Sequence, residues 1–341
     1  MNKEYKLSSE SACVYNNEVY FIPREIPILC KWNIKNNYFD IISRVPEENG
    51  MIDRLFNGMC IVDNQLFLTP YNAKKIWIFN LEELKWTNLS LDKVCQTALE
   101  GKFVGCKSYK NNIYLFGYNC KNIVKIDSIA KKMKKITVKN SDDCGCFWGQ
   151  STAMLGSKMY VPNLKTKGVC EIDLKTDSAE YKDIIEGCSF CGISNNEDSV
   201  YFLPYSGNML YRIKNDKKEI INLPCSYNSN SNIFNGIAVS LDSIVLFSPH
   251  NKSLIIKNEN NEYIDDGYNR FTFYTDIGFV VSRQGRLELF DSSMNLLNDV
   301  SLTVSRELYL KYIQCDGIIS DIYYEKEGLG LIELLNLIDG E

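Results

Sequence analysis

The strongest constraint on the fold is a short apolar phrase that recurs six times at a nearly constant interval. Each copy is an apolar run that ends on a proline or a glycine. The end positions are Pro23, Pro70, Gly117, Pro162, Pro204 and Pro249. The steps between successive end positions are 47, 47, 45, 42 and 45 residues. A fixed period in this range indicates a solenoid, a propeller or another array of repeats.

A second motif, Phe-x-Gly, precedes each later copy of the phrase by about a dozen residues and is called the signature below. Its copies begin at Phe56, Phe103, Phe147, Phe190 and Phe234. Asn- and Asp-rich turns separate signature and phrase, as in hairpins. Two further runs follow each phrase, with the alternation and the β-branched or aromatic residues of strands. Four short antiparallel strands in about 44 residues are one blade of a β-propeller.

The repeat predicts an all-β fold, a seven-bladed β-propeller of four-stranded antiparallel blades over 1–304, with six blades as the alternative. The predicted blades lie near 11–46, 56–91, 103–138, 147–184, 190–224, 234–266 and 270–304. The first strand of each blade lines the central axis, so the signature glycine would suit a place where backbones converge. Blade one has Ser9-Glu10-Ser11 instead of the signature. We expect Tyr5 to Leu7 to close the ring as an edge strand paired with the last blade.

The tail, 305–341, departs from the repeat and is predicted to be a C-terminal helical extension. Leu331, Leu334, Leu335 and Ile338 have the spacing of one apolar helix face. The stretch from Ser305 to Tyr324 fits either helix or strand. A short amphipathic helix is not stable alone in water, so it would dock on the propeller or form a dimer or partner contact.

Composition limits the cell compartments and the classes of partner that we expect for this protein. The net charge is -5, which disfavours nucleic acid and anionic membranes as partners. The first residues lack an apolar signal region, and no run approaches the roughly 18 apolar residues of a membrane span. The odd number of cysteines, 13, favours reduced thiols over a disulfide framework. We therefore expect a cytoplasmic protein, a monomer or a dimer through its C-terminal helix, with no cofactor.

The order of signature, Pro-ended strand and a third strand that closes on Asp resembles kelch-like and related β-propellers over about residues 9–304. The resemblance is architectural, because the double glycine and the spaced Tyr-Trp pair of a kelch repeat are absent. Kelch-like propellers include sugar oxidases, epimerases and many protein-binding scaffolds. The resemblance is therefore compatible with binding and with catalysis and does not distinguish between them.

Several polar side chains are predicted to surround one end of the channel. Acids stand five or six residues before the signature glycine in successive blades, namely Asp53, Glu100, Asp143 and Glu186. They would bind a cation, an amine or a sugar, act as general acid and base, or be solvated loop charges. Candidate ligand-binding residues are Asn57, Trp148 and Asn235 from the variable middle position of the signature, with Arg54 and Arg270 nearby.

Histidine and cysteine chemistry offer weaker alternatives. His250 is the only histidine, which excludes a site built from several histidines. Cys144, Cys146, Cys188 and Cys191 occupy equivalent loops of consecutive blades, so a zinc site or a redox pair competes with plain packing. The leading prediction is a binding or scaffold protein that engages a protein or peptide at the loop-rimmed channel mouth. The alternative is a carbohydrate-active or other small-molecule enzyme, an epimerase, lyase or hydrolase, that uses the acids.

Overall fold

The structure, a computed structural model, describes residues 4–96, 98–139, 145–223, 234, 236–248, 253–257, 260–264, 269–283 and 285–313. Side chains are described within these ranges except at 260–264 and 269–272. The tail-helix residues Leu331 to Ile338, like Asp143, Cys144, Asn235 and His250, lie outside the described residues.

After strand β1 (Glu4–Lys6), the described chain forms seven sheets in chain order. Blade one contains β2 (Ser9–Tyr15), β3 (Glu18–Pro23), β4 (Ile28–Asn33) and β5 (Tyr38–Arg44). Blade two contains β6 (Phe56–Val62), β7 (Gln65–Pro70), β8 (Lys75–Asn80) and β9 (Lys85–Ser90). Blade three contains β10 (Phe103–Tyr109), β11 (Asn112–Gly117), β12 (Ile123–Asp127) and β13 (Met133–Ile136).

Blade four differs, because strand β14 (Val138–Lys139) pairs in parallel with its outer strand and a 3-10 turn (Gly149–Ser151) opens its inner edge. Its other strands are β15 (Ala153–Leu155), β16 (Lys158–Pro162), β17 (Val169–Asp173) and β18 (Ser178–Lys182). Blade five contains β19 (Phe190–Asn195), β20 (Ser199–Pro204), β21 (Met209–Lys214) and β22 (Lys217–Asn222). Blade six contains β23 (Gly236–Val239), β24 (Ser243–Phe247), β25 (Ser253–Lys257) and β26 (Asn260–Ile264). Blade seven contains β27 (Asn269–Thr275), β28 (Gly278–Arg283), β29 (Arg286–Phe290) and β30 (Leu296–Ser301).

The first strands of the blades form a closed ring. Each contacts the first strand or the 3-10 turn of the next blade, and β27 contacts β2. The core lies between adjacent blades, in separate clusters of fully buried side chains such as Phe67, Phe103 and Phe202. The predicted seven-bladed β-propeller is therefore confirmed.

The signature glycines pack backbone against backbone. A Cβ atom on Gly58 would lie 2.7 Å from the Cα atom of Gly105, and one on Gly105 would lie 2.2 Å from the carbonyl carbon of Gly149. We expected the signature glycines to stand where the backbones of the first strands converge, and this is confirmed for blades two to four. The close approach also brings strands β6 and β10 together where both line the central channel.

Two terminal segments close the ring. Strand β1 pairs antiparallel with β31 (Thr303–Ser305), which follows the last strand of blade seven. Leu7 is fully buried, and its amide donates to the carbonyl of Leu302 at 2.8 Å. The predicted N-terminal strand therefore forms, but its partner is β31, in a two-stranded sheet separate from the four strands of blade seven.

The helix α1 (Arg306–Ile313) follows β31 and docks on the propeller. Its Tyr309 ring stacks on Tyr5 with a centroid distance of 4.4 Å, and Ile313 is buried in the cluster that contains Leu7 and Trp32. The stretch after Ser305 that fitted helix or strand therefore begins as a helix. Within the described ranges, no helix has the length and apolar character that crossing a membrane requires.

One buried acid makes stability depend on pH. Glu48 is 4% exposed and accepts a hydrogen bond of 2.8 Å from Trp77 Nε1. Burial raises the pKa of Glu48, and the Trp77 hydrogen bond only partly opposes this. Above the ordinary pKa and up to the raised one, the folded state binds more protons than the unfolded state. The free energy of unfolding therefore falls as pH rises through that window.

We expect Glu48→Gln to remove this fall, because an amide oxygen still accepts from Trp77 but does not ionise. Urea unfolding of both proteins between about pH 4 and pH 8 measures the effect. The midpoint of the wild-type protein should drop relative to that of the variant as pH rises. Parallel midpoints over the whole range would contradict the assignment.

Candidate functional site

The first strands enclose a central channel with a cavity of about 390 Å³. It is lined by first-strand residues of blades seven, one, two and three and by the start of blade four. The lining runs from Glu10, where the first strands begin, to Asp276, in the hairpin at the other end. We call the end at Glu10 the mouth and the other end the opposite rim. Because the strands are antiparallel, the loops after the second strands also lie at the mouth.

A β-bulge shapes the mouth. In blades one, two, three, five and seven, the first strand carries one extra residue directly after the first signature position. Ser9 pairs with Pro23 as Phe56 pairs with Pro70, so Glu10 is equivalent to Asn57. The backbone register places Arg270 at the same position of blade seven. A bulge re-aims the side chain at the irregularity, and Glu10 and Asn57 at this position of blades one and two are hydrogen-bonded to each other.

Glu10 is the centre of a polar network at the mouth, and its side chain is 11% exposed. Arg54 Nε lies 2.7 Å from Glu10 Oε2 as an ion pair without hydrogen-bond geometry, and Arg24 Nη1 lies 3.5 Å from Oε1. Asn57 Nδ2 donates to Oε2 at 3.2 Å. Gln150 Nε2 donates to the Glu10 carbonyl at 2.8 Å and also to Asn57 Oδ1. Glu10 thereby joins three blades, because its carboxylate contacts Arg54 and Asn57 of blade two and its backbone carbonyl accepts from Gln150 of blade four.

The network extends outward through two arginines. Arg24 Nε donates to both oxygens of Asp53, at 2.7 and 3.0 Å, and its Nη2 also contacts that carboxylate. The hydrogen bond to Asp53 raises the pKa of Arg24, so this guanidinium stays charged. The Arg54 guanidinium lies 5.3 Å from the ring centroid of Tyr71 in the next mouth loop. At the mouth of blades one and two, Arg24 and Arg54 are thus paired with the carboxylates of Glu10 and Asp53.

The structure brings together only some of the predicted site residues. Asp53, Arg54 and Asn57 belong to the Glu10 network. Glu100 and Glu186 are exposed in the loops that enter blades three and five. Trp148 is half-buried, its amide donates to the Pro162 carbonyl at 2.9 Å, and it does not line the cavity. Asp143, Asn235 and the side chain of Arg270 lie outside the described residues.

The described cysteines of the proposed metal site are separate packing residues. Cys146 is buried and Cys188 is half-buried. The Cys191 thiol contacts the carbonyl oxygens of Leu203, Pro204 and Phe234 at 3.4 to 3.6 Å, and burial raises its pKa to about 12. Among the residues that the structure describes, no group of three or more His, Cys, Asp and Glu is placed to hold a metal ion. The four-cysteine site, which needs Cys144, stays a prediction.

Sequence reasoning missed Glu10, Arg24 and Gln150. The signal for Glu10 was present, because blade one departs from the signature at the position where the glutamate stands. Nothing in the repeat marks Arg24 or Gln150, since their roles depend on contacts 14 and 140 residues away in the chain.

Two exposed apolar side chains stand in mouth loops of adjacent blades. Leu164 follows the second strand of blade four and is 39% exposed, and Tyr205 follows the second strand of blade five and is 50% exposed. Leu84 and Ile129 are also exposed, but they stand in hairpins between third and fourth strands, at the opposite rim. Exposed apolar side chains mark an interaction surface when they form a contiguous patch.

No protein-family model matches this chain, and no curated protein matches it. Its fold is similar to that of a catalytically inactive histidine-to-alanine variant of virginiamycin B lyase from Staphylococcus aureus, solved with quinupristin. That match has a TM-score of 0.64 and 14% identity, and covers 83% of this chain and 96% of the lyase.

Two further solved structures are similar. U3-55K has a TM-score of 0.60 and 11% identity, with 81% of this chain and 88% of that chain covered. The computationally designed Ika8 protein has a TM-score of 0.58 and 8% identity, with 87% and 88% covered. Identities this low show a shared fold, so the chain is a β-propeller whose structural neighbours include both an enzyme and proteins of other kinds.

Proposed function

We propose that this protein is a non-enzymatic binding protein that engages a protein or peptide partner at the mouth of its channel. The observation that carries the proposal is the Glu10 network. Both oxygens of this carboxylate already have partners in Arg24, Arg54 and Asn57. Because these contacts hold the carboxylate between blades one and two, we assign it the role of organising the mouth rather than that of a general base. Asp53, the nearest predicted acid, is likewise held by Arg24.

The chemistry of the mouth supports a macromolecular partner. Paired charges in a fixed geometry give specificity and register to an interface more than they give affinity. We expect the exposed side chains of Leu164 and Tyr205 to supply the apolar contacts with this partner. We place this binding in the cytoplasm, where thiols stay reduced. The ten cysteines of the described residues are all free thiols, as that setting favours. A kelch-like kinship belongs to the same proposal, since scaffolds are common among kelch-like propellers.

A second candidate function rests on the cavity. A volume of about 390 Å³ is within the range of small-molecule sites, roughly 300–1,000 Å³. The structural neighbour that is a lyase belongs to the same fold class. A carbohydrate-active or other small-molecule enzyme would then use the exposed acids Glu100 and Glu186 rather than Glu10. Thermal stabilisation by a sugar panel, lost in Glu100→Gln with Glu186→Gln, would favour this candidate over the first.

The test of the first candidate compares two matched surface variants. Tagged wild-type protein, Leu164→Ser with Tyr205→Ser, and Leu84→Ser with Ile129→Ser are used to capture partners from lysate of the native cell. We expect one stoichiometric partner that binds the wild type and the opposite-rim variant alike. The mouth variant should bind it at least ~10-fold more weakly, because hot-spot side chains are worth a few kcal/mol. Equal capture by both variants, or loss only in the opposite-rim variant, would contradict binding at the mouth.

A further inference from the structure

One register position of the first strands carries a charge in only one of the seven blades. The aligned residues pair with the second-strand residues that stand three places before Pro23, Pro70, Gly117, Pro162, Pro204, Pro249 and Arg283. In blade order they are Cys13, Cys60, Lys107, Met154, Ser194, Ile237 and Phe273. The repeated packing of the ring therefore does not require a charge here, and Lys107 needs an explanation of its own.

Lys107 is a half-buried cation that lines the cavity and has no counter-charge. Among the described residues, no carboxylate lies within ion-pair distance of its ammonium group, and the ammonium makes no hydrogen bond. Burial lowers the pKa of Lys107. A partly desolvated cation costs free energy unless an anion pairs with it. The cavity thus offers an unpaired positive charge to a molecule that enters it.

A side-chain bridge crosses the channel between the mouth and Lys107. Gln150 of blade four donates from Nε2 to the Glu10 carbonyl of blade one at 2.8 Å and to Asn57 Oδ1 of blade two. Blades one and four are not neighbours in the ring, so this side chain spans the channel. Lys107 lies three residues beyond the position equivalent to Asn57. The bridge leaves the opposite rim as the direct path to Lys107.

Apolar side chains line the cavity toward the opposite rim. Val14, Ile61 and Tyr274 occupy the next register position of blades one, two and seven, and all three line the cavity. Small-molecule sites combine a mainly apolar lining with a few placed polar groups. One cation beside this lining suits a ligand with one negative group and an apolar body. Asp276, exposed at the rim, disfavours further negative groups on that ligand.

We propose that the channel binds a small monocarboxylate with an apolar or aromatic body, and that Lys107 pairs with its carboxylate. The apolar body lies toward the opposite rim, against Val14, Ile61 and Tyr274. Inside a cavity this ion pair is stronger than one exposed to water. The site is separate from the partner surface at the mouth, because Leu164 and Tyr205 do not line the cavity.

The test measures binding of three carboxylates to the full-length protein by isothermal titration calorimetry. The probes are octanoate, phenylacetate and indole-3-acetate, each compared with its primary amide, which keeps the shape and removes the charge. We expect at least one carboxylate to bind at least ~10-fold more tightly than its amide. Lys107→Met should remove this preference and Lys107→Arg should retain it. The matched control is Lys110→Met, which removes an exposed lysine just beyond β10 and should leave the affinity unchanged.

Two further variants locate the apolar body. Tyr274→Ser should weaken the carboxylate and its amide alike, because it removes an apolar contact and no charge. Leu164→Ser with Tyr205→Ser should bind the carboxylate as the wild type does, so this test and the partner test succeed or fail independently. Thermal melting shows whether each variant is folded.

Three results would overturn the proposal. The first is that no carboxylate binds folded wild-type protein, or that none binds better than its amide. The second is that folded Lys107→Met keeps the preference for the carboxylate. The third is that the mouth variant loses binding while Tyr274→Ser keeps it, which would place the ligand at the mouth.

Discussion

Replacing Gly105 with Ala should lower the free energy of unfolding by about 4 kcal/mol or prevent folding, which is at the upper end for single substitutions. The added Cβ would lie 2.2 Å from the carbonyl carbon of Gly149 and 2.3 Å from the amide nitrogen of Gln150. Both are backbone atoms of the neighbouring blade, so no side chain can rotate away. Gly105 also has φ of +74°, which strains a residue with a Cβ. Chemical denaturation with a circular-dichroism readout measures the loss.

The matched control is Gly236→Ala, at the equivalent signature position of blade six. Among the residues that the structure describes, a Cβ there would meet only Phe247 side-chain atoms, at 3.9 and 4.0 Å. We expect this variant to stay within about 0.5 kcal/mol of the wild type, as surface-like substitutions do. If the two alanine variants unfold alike, the convergence of backbones at the axis is not what requires glycine.

Deleting residues 1–8 should lower the melting temperature by roughly 10 °C. The deletion removes all of β1 and so leaves β31 without a partner. It also removes fully buried Leu7, whose truncation alone is worth about 2–5 kcal/mol in a packed core. The stacking of Tyr5 on Tyr309 is lost as well, which removes one of the contacts that hold the helix α1. Differential scanning calorimetry measures the shift.

Glu4→Ala is the control for this deletion. Glu4 belongs to β1 but its side chain is exposed, so the strand pairing survives. Its melting temperature should stay within about 1 °C of the wild type. An unchanged melting curve for the deletion would show that the ring closes without its N-terminal strand.

The Glu10 network joins blades one, two and four by ion pairs and hydrogen bonds, which fixes the shape of the mouth.

Part of the site followed from the repeat. Asp53, Arg54 and Asn57 were predicted to surround the mouth, because the signature marks where each first strand begins. Glu100 stands exposed in the loop that enters blade three, and its role stays a prediction, since spacing along the chain places a loop and not the direction of its side chain. Trp148 occupies a signature position, but the 3-10 turn that replaces the start of the strand in blade four puts the ring outside the cavity.

By itself, the sequence determined the β-propeller, its seven blades, the glycines at the axis and the N-terminal closing strand. These follow from local patterns repeated every 44 residues or so, and each repeat must bury its faces against its neighbours. Only the tertiary structure decided that Glu10 collects Arg24, Arg54, Asn57 and Gln150. Those contacts join different blades through side chains that the repeat leaves free to vary. Their chemistry therefore exists only once the ring has closed around the channel.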